Sequence, residues 1–378
     1  MGEPDFQIVE LTRSRRDVMR FLKVAYGVYR DDPRWVAPLL VDQRKVFEDG
    51  NPLFEHAEMT LWVAVRNGRD VGRIAGTVER LHNEFHKETT AYFGFFEGPD
   101  DPAVSGALFD AVSVWARARG MTRLLGPMNP TTNDECGLLI SGFDASPVVM
   151  MTYNPRYYPD LFAAAGLTKA KDLLAYYFDV KPKPLERFNR IAAGVRRREP
   201  NIVIRQIRKK TLAADLAKVR EVYNAAWEAN WGFVPMTEGD MAFMAERLKP
   251  LLVEELALLA ERDGEPIAFM MSLPDYNEAL RPMRGRLLTP RIFGLLSTLW
   301  GRRTPKIVRV VTTGVKRAYR QRGMDALLFG HGLTYGLKAG YQGCEVSWVL
   351  EDNVQVLRPL EIFDAYEYKR YRIYERAV

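Results

Sequence analysis

The feature that most narrows the fold is a repeat written into the chain at nearly one spacing. A turn pair, Asn67-Gly68, recurs 196 residues on as Asp263-Gly264, and Asn154, which follows an apolar run, recurs 199 residues on as Asn353. Each turn pair separates two apolar arms, 61–65 with 71–78 and 256–260 with 267–273, as in a tight hairpin with positive φ at its tip. Hairpins and strand-ending asparagines are each common. Their shared order and offset argue for an internal duplication, and 378 residues exceed one ordinary core.

Read in order, both halves predict mixed α/β domains. The first runs through a strand at 7–11, a helix with Val18, Phe21, Leu22, Ala25 and Val28 on one stripe, and a second helical stretch at 35–47. After the hairpin come a strand at 90–96, a helix at 103–119, strands at 123–125 and 148–152, a helix to Ala165 and a strand at 173–178. The second half repeats the order: a strand at 203–207, a helix striped by Leu212, Leu216, Val219 and Val222, a helix at 240–248, the hairpin, and a strand at 307–313 leading into a helix. Lys181-Pro-Lys-Pro184 reads as a break, so the expected division is 1–180, a linker or domain edge at 181–200, and 201–378.

Charge separates the halves. Residues 1–180 hold 20 Lys/Arg against 25 Asp/Glu, and residues 181–378 hold 34 against 23. A basic half suits coenzyme A, an anionic membrane surface or nucleic acid. Nucleic acid is set aside, because the chain has no zinc-finger spacing, RNP motif or basic stripe interleaved with aromatics. Cys136 and Cys344 are far apart and His56, His82, His86 and His331 lack ligand spacing, so no metal and no disulfide framework is expected. No apolar run approaches the roughly 18 residues of a spanning helix, and no basic region with an apolar core opens the sequence, which points to the cytoplasm.

The basic half concentrates its chemistry between Lys306 and Lys338. A β-branched run at 307–313 turns through Lys316, Arg317, Arg320, Gln321, Arg322 and Gly323 into a helix striped by Ala326, Leu327, Leu328, Leu333 and Leu337. Open N–H groups at a helix start, its dipole and nearby cations together make a seat for a diphosphate, with Gly323 letting a ligand approach the backbone. The equivalent stretch of the first half, Glu97-Gly-Pro-Asp-Asp-Pro102, carries acids and prolines instead and would repel one.

Val315 with Arg320-Gln-Arg-Gly323 resembles the coenzyme A loop of the GNAT superfamily of N-acyltransferases, pattern R-x-x-G-x-[GA]; the sequence from Glu345 through Trp348 and Asn353 to Tyr368 is similar to the strand, asparagine, helix and strand beyond it. The last small residue of the pattern is Asp325 here. Three further segments, Asn51-Pro-Leu-Phe-Glu-His56, the loop from Gly126 to Phe143, and Met150-Met-Thr-Tyr-Asn-Pro-Arg-Tyr-Tyr158, resemble a bacterial family of tandem GNAT-like proteins that includes the bacterial ceramide synthases.

That resemblance implies two tandem GNAT-like domains, acyl-CoA as co-substrate, and acylation of a lipid-like amine, a sphingoid base. Thr313, Val315, Arg320, Gln321, Arg322, Gly323, Met324 and Asn353 would hold the acyl-CoA. The thiolate acid usual in the superfamily is a tyrosine seven residues past the asparagine; Leu360 and Leu161 stand there. For the general base, Glu135 and Asp134 in the acidic loop come first, then His56 and Tyr153, the alternative for the acids being a solvated turn. Tyr157, Tyr158, Phe93, Phe95 and Phe96 either line an acyl cavity or pack the core. Residues 284–303 set Leu287, Leu288, Phe293, Leu296 and Trp300 among arginines, as either an interfacial helix making peripheral contact with the inner membrane or a helix packed on its own domain. Two other functions stay open: acylation of a small polar amine, and acyl-CoA binding without catalysis.

Overall fold

A computed structural model describes residues 5–287 and 289–378; Met1 to Pro4 and Leu288 lie outside the described residues. The chain forms two compact units that interleave along the sequence. Unit 1 is residues 1–173, 283–289 and 370–378; unit 2 is residues 174–282 and 290–369. Residues 181–200, the expected linker or domain edge, fall within unit 2.

Unit 1 contains β1 (Phe6–Leu11), α1 (Arg15–Val28), α2 (Leu40–Lys45), α3 (Leu53–His56), β2 (Ala57–Arg66), β3 (Arg69–Glu79), α4 (Arg80–His86), β4 (Thr90–Glu97), α5 (Pro102–Arg117), β5 (Arg123–Gly126), β6 (Met128–Asn129), β7 (Glu135–Cys136), β8 (Leu138–Ser141) and α6 (Tyr158–Ala164), with β9 (Thr168–Asp179) passing out of it. The strands lie in the order β1-β2-β3-β4-β5, antiparallel except for β4 with β5. The β2–β3 turn has Asn67 and Gly68 at φ 50° and 71°, as the sequence requires. Its core stacks Phe96 on Phe109, with Phe93, Phe162 and Tyr158 edge-on around them. These aromatics are core side chains, and Phe95 packs on Phe21 and Phe47.

Unit 2 contains α7 (Lys183–Arg198), β10 (Ile202–Gln206), α8 (Leu212–Trp227), α9 (Glu238–Leu248), β11 (Ala257–Arg262), β12 (Glu265–Pro274), α10 (Asn277–Leu280), α11 (Ile292–Leu299), β13 (Ile307–Val315), α12 (Met324–Ala339), β14 (Gly343–Leu350) and α13 (Val354–Ile362), with β15 (Tyr366–Ala377) passing out of it. Its sheet order is β10-β11-β12-β13-β14, antiparallel except for β13 with β14, which is the arrangement of unit 1 again. The second hairpin tip has Asp263 and Gly264 at φ 52° and 87°.

Four expectations differ from the structure. Residues 148–152 form no strand, because Met150 adopts φ 58° and the Met151 amide closes a turn on Val148; β8 takes the strand position instead, paired with Arg370–Arg372 of β15. The break at Lys181–Pro184 becomes the start of α7, where Pro184 sits in the first turn and needs no N–H. Helix at 35–47 shrinks to α2, and the helix in 284–303 to the eight residues of α11.

Candidate active site

The site grows from a place where two strands stop pairing. Parallel partners run from Ile307 with Gly343 to Val310 with Val346 and end there, while β13 continues to Val315 and β14 to Leu350. On its other edge β13 bulges: Thr312 faces Met271 and Val310 faces Ser272, leaving Val311 between partners. A cavity of about 630 Å³ opens between the parted strands, bounded by Val311–Val315, Ser347–Leu350, Trp227, Trp231 and Phe329. That size suits a ligand site. An unpaired strand edge offers an extended, amide-bearing ligand a ladder of backbone donors and acceptors.

Beyond β13 the chain turns into α12 with Gln321 at φ 60° and Gly323 at φ 87°. Gly323 is the N-cap and brings no capping side chain, while the Asp325 carboxylate accepts from its own amide. The other first-turn amides keep the electropositive character of an open helix start. A Cβ at Gly323 would meet Val195 Cγ2 at 2.8 Å and Ile191 at 3.2 Å, so the glycine also allows a close approach to α7.

The cations of the loop are largely committed to protein. Arg320 donates to the carbonyls of Val315 (3.3 Å) and Ala226 (2.5 Å), Arg322 pairs with Glu199 at 2.9 Å, and Lys316 pairs with Glu221. They fix the loop's shape more than they supply free charge. Thr313 donates its hydroxyl to Phe269 O (3.0 Å) and its carbonyl accepts the Trp227 indole N–H (3.1 Å). Val315 and Met324 are buried in the unit 2 core, so Met324 has only its backbone to offer. Thr313, Val315, Arg320, Gln321 and Asn353 border the cavity. Asp325 borders it too, and burial pushes its carboxyl above the usual carboxylate range against the pull of Arg320.

In unit 1 the corresponding helix start is closed. Asp101 caps α5 by accepting from the amides of Ala103 (2.9 Å) and Val104 (3.4 Å), and Arg66 holds its carboxylate at 2.7 Å. Tyr158 fills the approach, donating to Glu97 Oε2 at 2.7 Å and accepting from the Gly98 amide at 2.9 Å. Asn154 and Asn353 have diverged likewise: Asn154 is buried and bonds Leu139 N and O, whereas Asn353 faces the cavity.

All four base candidates lie in unit 1. Glu135 is paired with Asn129 in the two-stranded β6–β7 ribbon, which sits on β4 because Gly94 leaves room for the Met128 carbonyl. Asp134 accepts the Thr131 hydroxyl at 2.8 Å. His56 Nδ1 lies 2.7 Å from Glu79, whose carboxylate also caps α4. Tyr153 donates to Asp32 at 2.8 Å, and burial followed by that carboxylate drives its pKa upward. Sequence reasoning missed Trp227 and Trp231, although two of the chain's 7 tryptophans within five residues was a usable signal.

No protein-family model matches the chain. It is 34% identical over 373 residues to the bacterial ceramide synthase of Caulobacter vibrioides, covering 96% of this chain and 95% of that one. It belongs to that family of tandem GNAT-like N-acyltransferases. It is also 33% identical over 380 residues to Protein YghO of Escherichia coli, covering 98% of this chain and 95% of the relative. Among solved structures, the tandem GNAT protein from the clavulanic acid biosynthesis pathway aligns at TM-score 0.60 and 15% identity over 98% of both chains. A GCN5-related N-acetyltransferase from Sphaerobacter thermophilus aligns at 0.53 and 13% identity, over all of this chain and 97% of the other. These show the fold: two tandem GNAT-like domains. Within this tandem GNAT-like chain, the thiolate-acid position Leu360 is a buried core residue of unit 2, and Leu161 is one of unit 1.

Proposed function

We propose that the protein is an acyl-CoA-dependent N-acyltransferase that places a long-chain acyl group on the amine of a sphingoid base. The cavity between β13 and β14 carries this reading: an unpaired strand edge leads to a helix start with glycine as its N-cap, the two features an acyl-CoA needs for its amide arm and its diphosphate. The name of the Caulobacter relative supports the sphingoid acceptor.

In this scheme the amides around Gly323 seat the diphosphate, with Arg320, Gln321, Arg322 and Met324 shaping the loop, while Thr313, Val315 and Asn353 border the arm. The amine nitrogen attacks the thioester carbon, the C–N bond forms, the C–S bond breaks, and a backbone amide of β13 supports the developing oxyanion. The amine gives up a proton and the departing thiolate gains one, leaving an amide and free coenzyme A. By residue chemistry, Glu135, Asp134, His56 and Tyr153 are candidates for the base. Peripheral contact at the inner membrane, through α11 with Phe293 and Trp300 exposed, would bring a lipid amine to the protein.

Asp325 in the cavity wall and leucine at position 360 favour a second reading, acyl-CoA binding without turnover. Palmitoyl-CoA or acetyl-CoA with sphinganine and a panel of small polar amines, free thiol being followed, separates the two. Amide formed on sphinganine is the expected result. Preference for a small amine replaces the acceptor, and binding with no thiol released replaces the chemistry.

A further inference from the structure

We propose that Ser347 takes the proton of the attacking amine and passes it to Glu345, an inference that rests on the acyltransferase reading. Ser347 is the first residue of β14 beyond the last pair, Val310 with Val346, so it stands at the apex where the strands part, in the cavity wall. Glu345, two residues back on the same strand, points to the same face. The Ser347 hydroxyl donates to Glu345 Oε1 at 2.5 Å and accepts from Arg309 Nε at 3.0 Å. Arg309 is the β13 partner of Glu345 in register, and Tyr368 donates to the second carboxylate oxygen. Glu345 and Arg309 are 0% and 1% exposed.

A buried ion pair is seldom the cheapest core, since apolar side chains of similar volume often serve stability as well or better. One bonded to the hydroxyl of a residue in the cavity wall has a chemical use. The step balances: as the C–N bond forms, the amine N–H proton moves to Ser347 Oγ and the Ser347 proton moves to Glu345, which becomes neutral. Arg309 keeps the serine oxygen oriented throughout. Ser347 is the catalytic residue, and Glu345, acting through it, is the positioning residue.

The groups around Glu345 are Arg309 from β13, Ser347 and Cys344 from its own strand, and Tyr368 and Lys369 from β15; Asp275 acts on Lys369, and the Tyr177 ring lies beside Tyr368. Burial raises the Glu345 carboxyl, with Arg309, Lys369 and Ser347 opposing, and burial lowers Lys369 to about 8. The relay works with Glu345 ionised. Activity therefore falls as pH drops through a carboxyl pKa above the ordinary range.

The test compares wild type, Ser347→Ala, Ser347→Thr and Glu345→Gln with palmitoyl-CoA and sphinganine across pH 5 to 9, with thermal unfolding as the folding control. Ser347→Ala is expected to lose about 100-fold in kcat, with KM nearly unchanged, and to lose the acid limb. Ser347→Thr keeps a hydroxyl and is expected to recover most of the loss. Ser347→Ala within about threefold of wild type, or slow but with its acid limb intact, overturns the relay while leaving the transferase standing. Absence of turnover by wild type overturns both. Should Glu345→Gln fail to fold, the alanine and threonine variants decide the matter.

Discussion

Asp101 and Gly323 hold the same place in the two units, the residue before a 16-residue helix that follows the fourth strand of the sheet, and they give that helix start opposite chemistry. Asp101 spends its carboxylate on the first amides of α5, with Pro102 removing another donor. Gly323 brings no side chain to the first amides of α12. One duplicated element thus became a sealed core piece in one copy and an anion seat in the other.

Gly323 is the most sensitive position in that seat. Alanine there must adopt φ 87° with its Cβ 2.8 Å from Val195, which costs about 1–3 kcal/mol of stability. Coenzyme A affinity, measured by calorimetry, should fall at least about tenfold as the loop shifts. Adding Val195→Ala should return part of the stability but none of the left-handed backbone penalty.

Asp325 should weaken anion binding. Removing its charge as Asp325→Ala is expected to tighten coenzyme A by about three- to tenfold, on the scale of about 1 kcal/mol for a charge in a helix's first turn. Burial raises this carboxyl, so it is neutral over a wider acidic range than an exposed one. The advantage of the variant should therefore shrink as pH falls and grow as the acid ionises. Calorimetric titrations of both proteins between pH 5 and 8 measure this; a difference independent of pH would contradict it.

In unit 1, Arg372 grips Asp172 with both arms at 2.7 and 3.1 Å, and Lys169 adds a contact at 3.1 Å. Burial works against the ionised form, but Arg372 and Lys169 win and lower the carboxyl pKa. A depressed folded pKa gives stability that is present above the unfolded value and lost as pH falls through the folded one. Asp172→Asn should cost about 1–3 kcal/mol near neutral pH, the scale of charge-assisted hydrogen bonds to a carboxylate. Thermal unfolding of the two proteins should converge in acid.

α11 is the surface to test against membranes. Phe293 and Trp300 are 72% and 65% exposed, with Arg291, Arg302 and Arg303 exposed nearby in sequence. Flotation with vesicles rich in anionic lipid should drop at least about fivefold for Phe293→Asp with Trp300→Asp, at about 1 kcal/mol or more of lost partitioning. Salt should weaken the wild-type binding, because its arginine contribution is screened. Equal flotation of variant and wild type would remove α11 from the picture.

Much of this fold could be read ahead of the coordinates wherever local chemistry decides it. Asn67-Gly68 and Asp263-Gly264 demand positive φ and obtain it, and the apolar runs on either side become β2, β3, β11 and β12. The reading failed where two local signals compete. Lys181-Pro-Lys-Pro184 suggested a linker, yet proline is equally at home in a helix's first turn, and Phe188, Ala192 and Val195 behind it already had helical spacing. The site itself was half legible. The loop before α12 announced itself by composition, but its partners, Trp227, Phe329 and Ser347, come from separate elements and meet only in the folded sheet. Nothing in one stretch of sequence reveals that Arg320 would be spent on the carbonyls of Val315 and Ala226.

The crossing of the chain between units has a bearing on biosynthesis. Segment 370–378 pairs with Arg123–Gly126 and Leu138–Ser141, yet every residue of unit 2 is translated before it. A nascent chain therefore carries β5 and β8 with an unsatisfied edge for more than two hundred codons, long enough for a chaperone, or a neighbouring polypeptide on the same message, to compete for it.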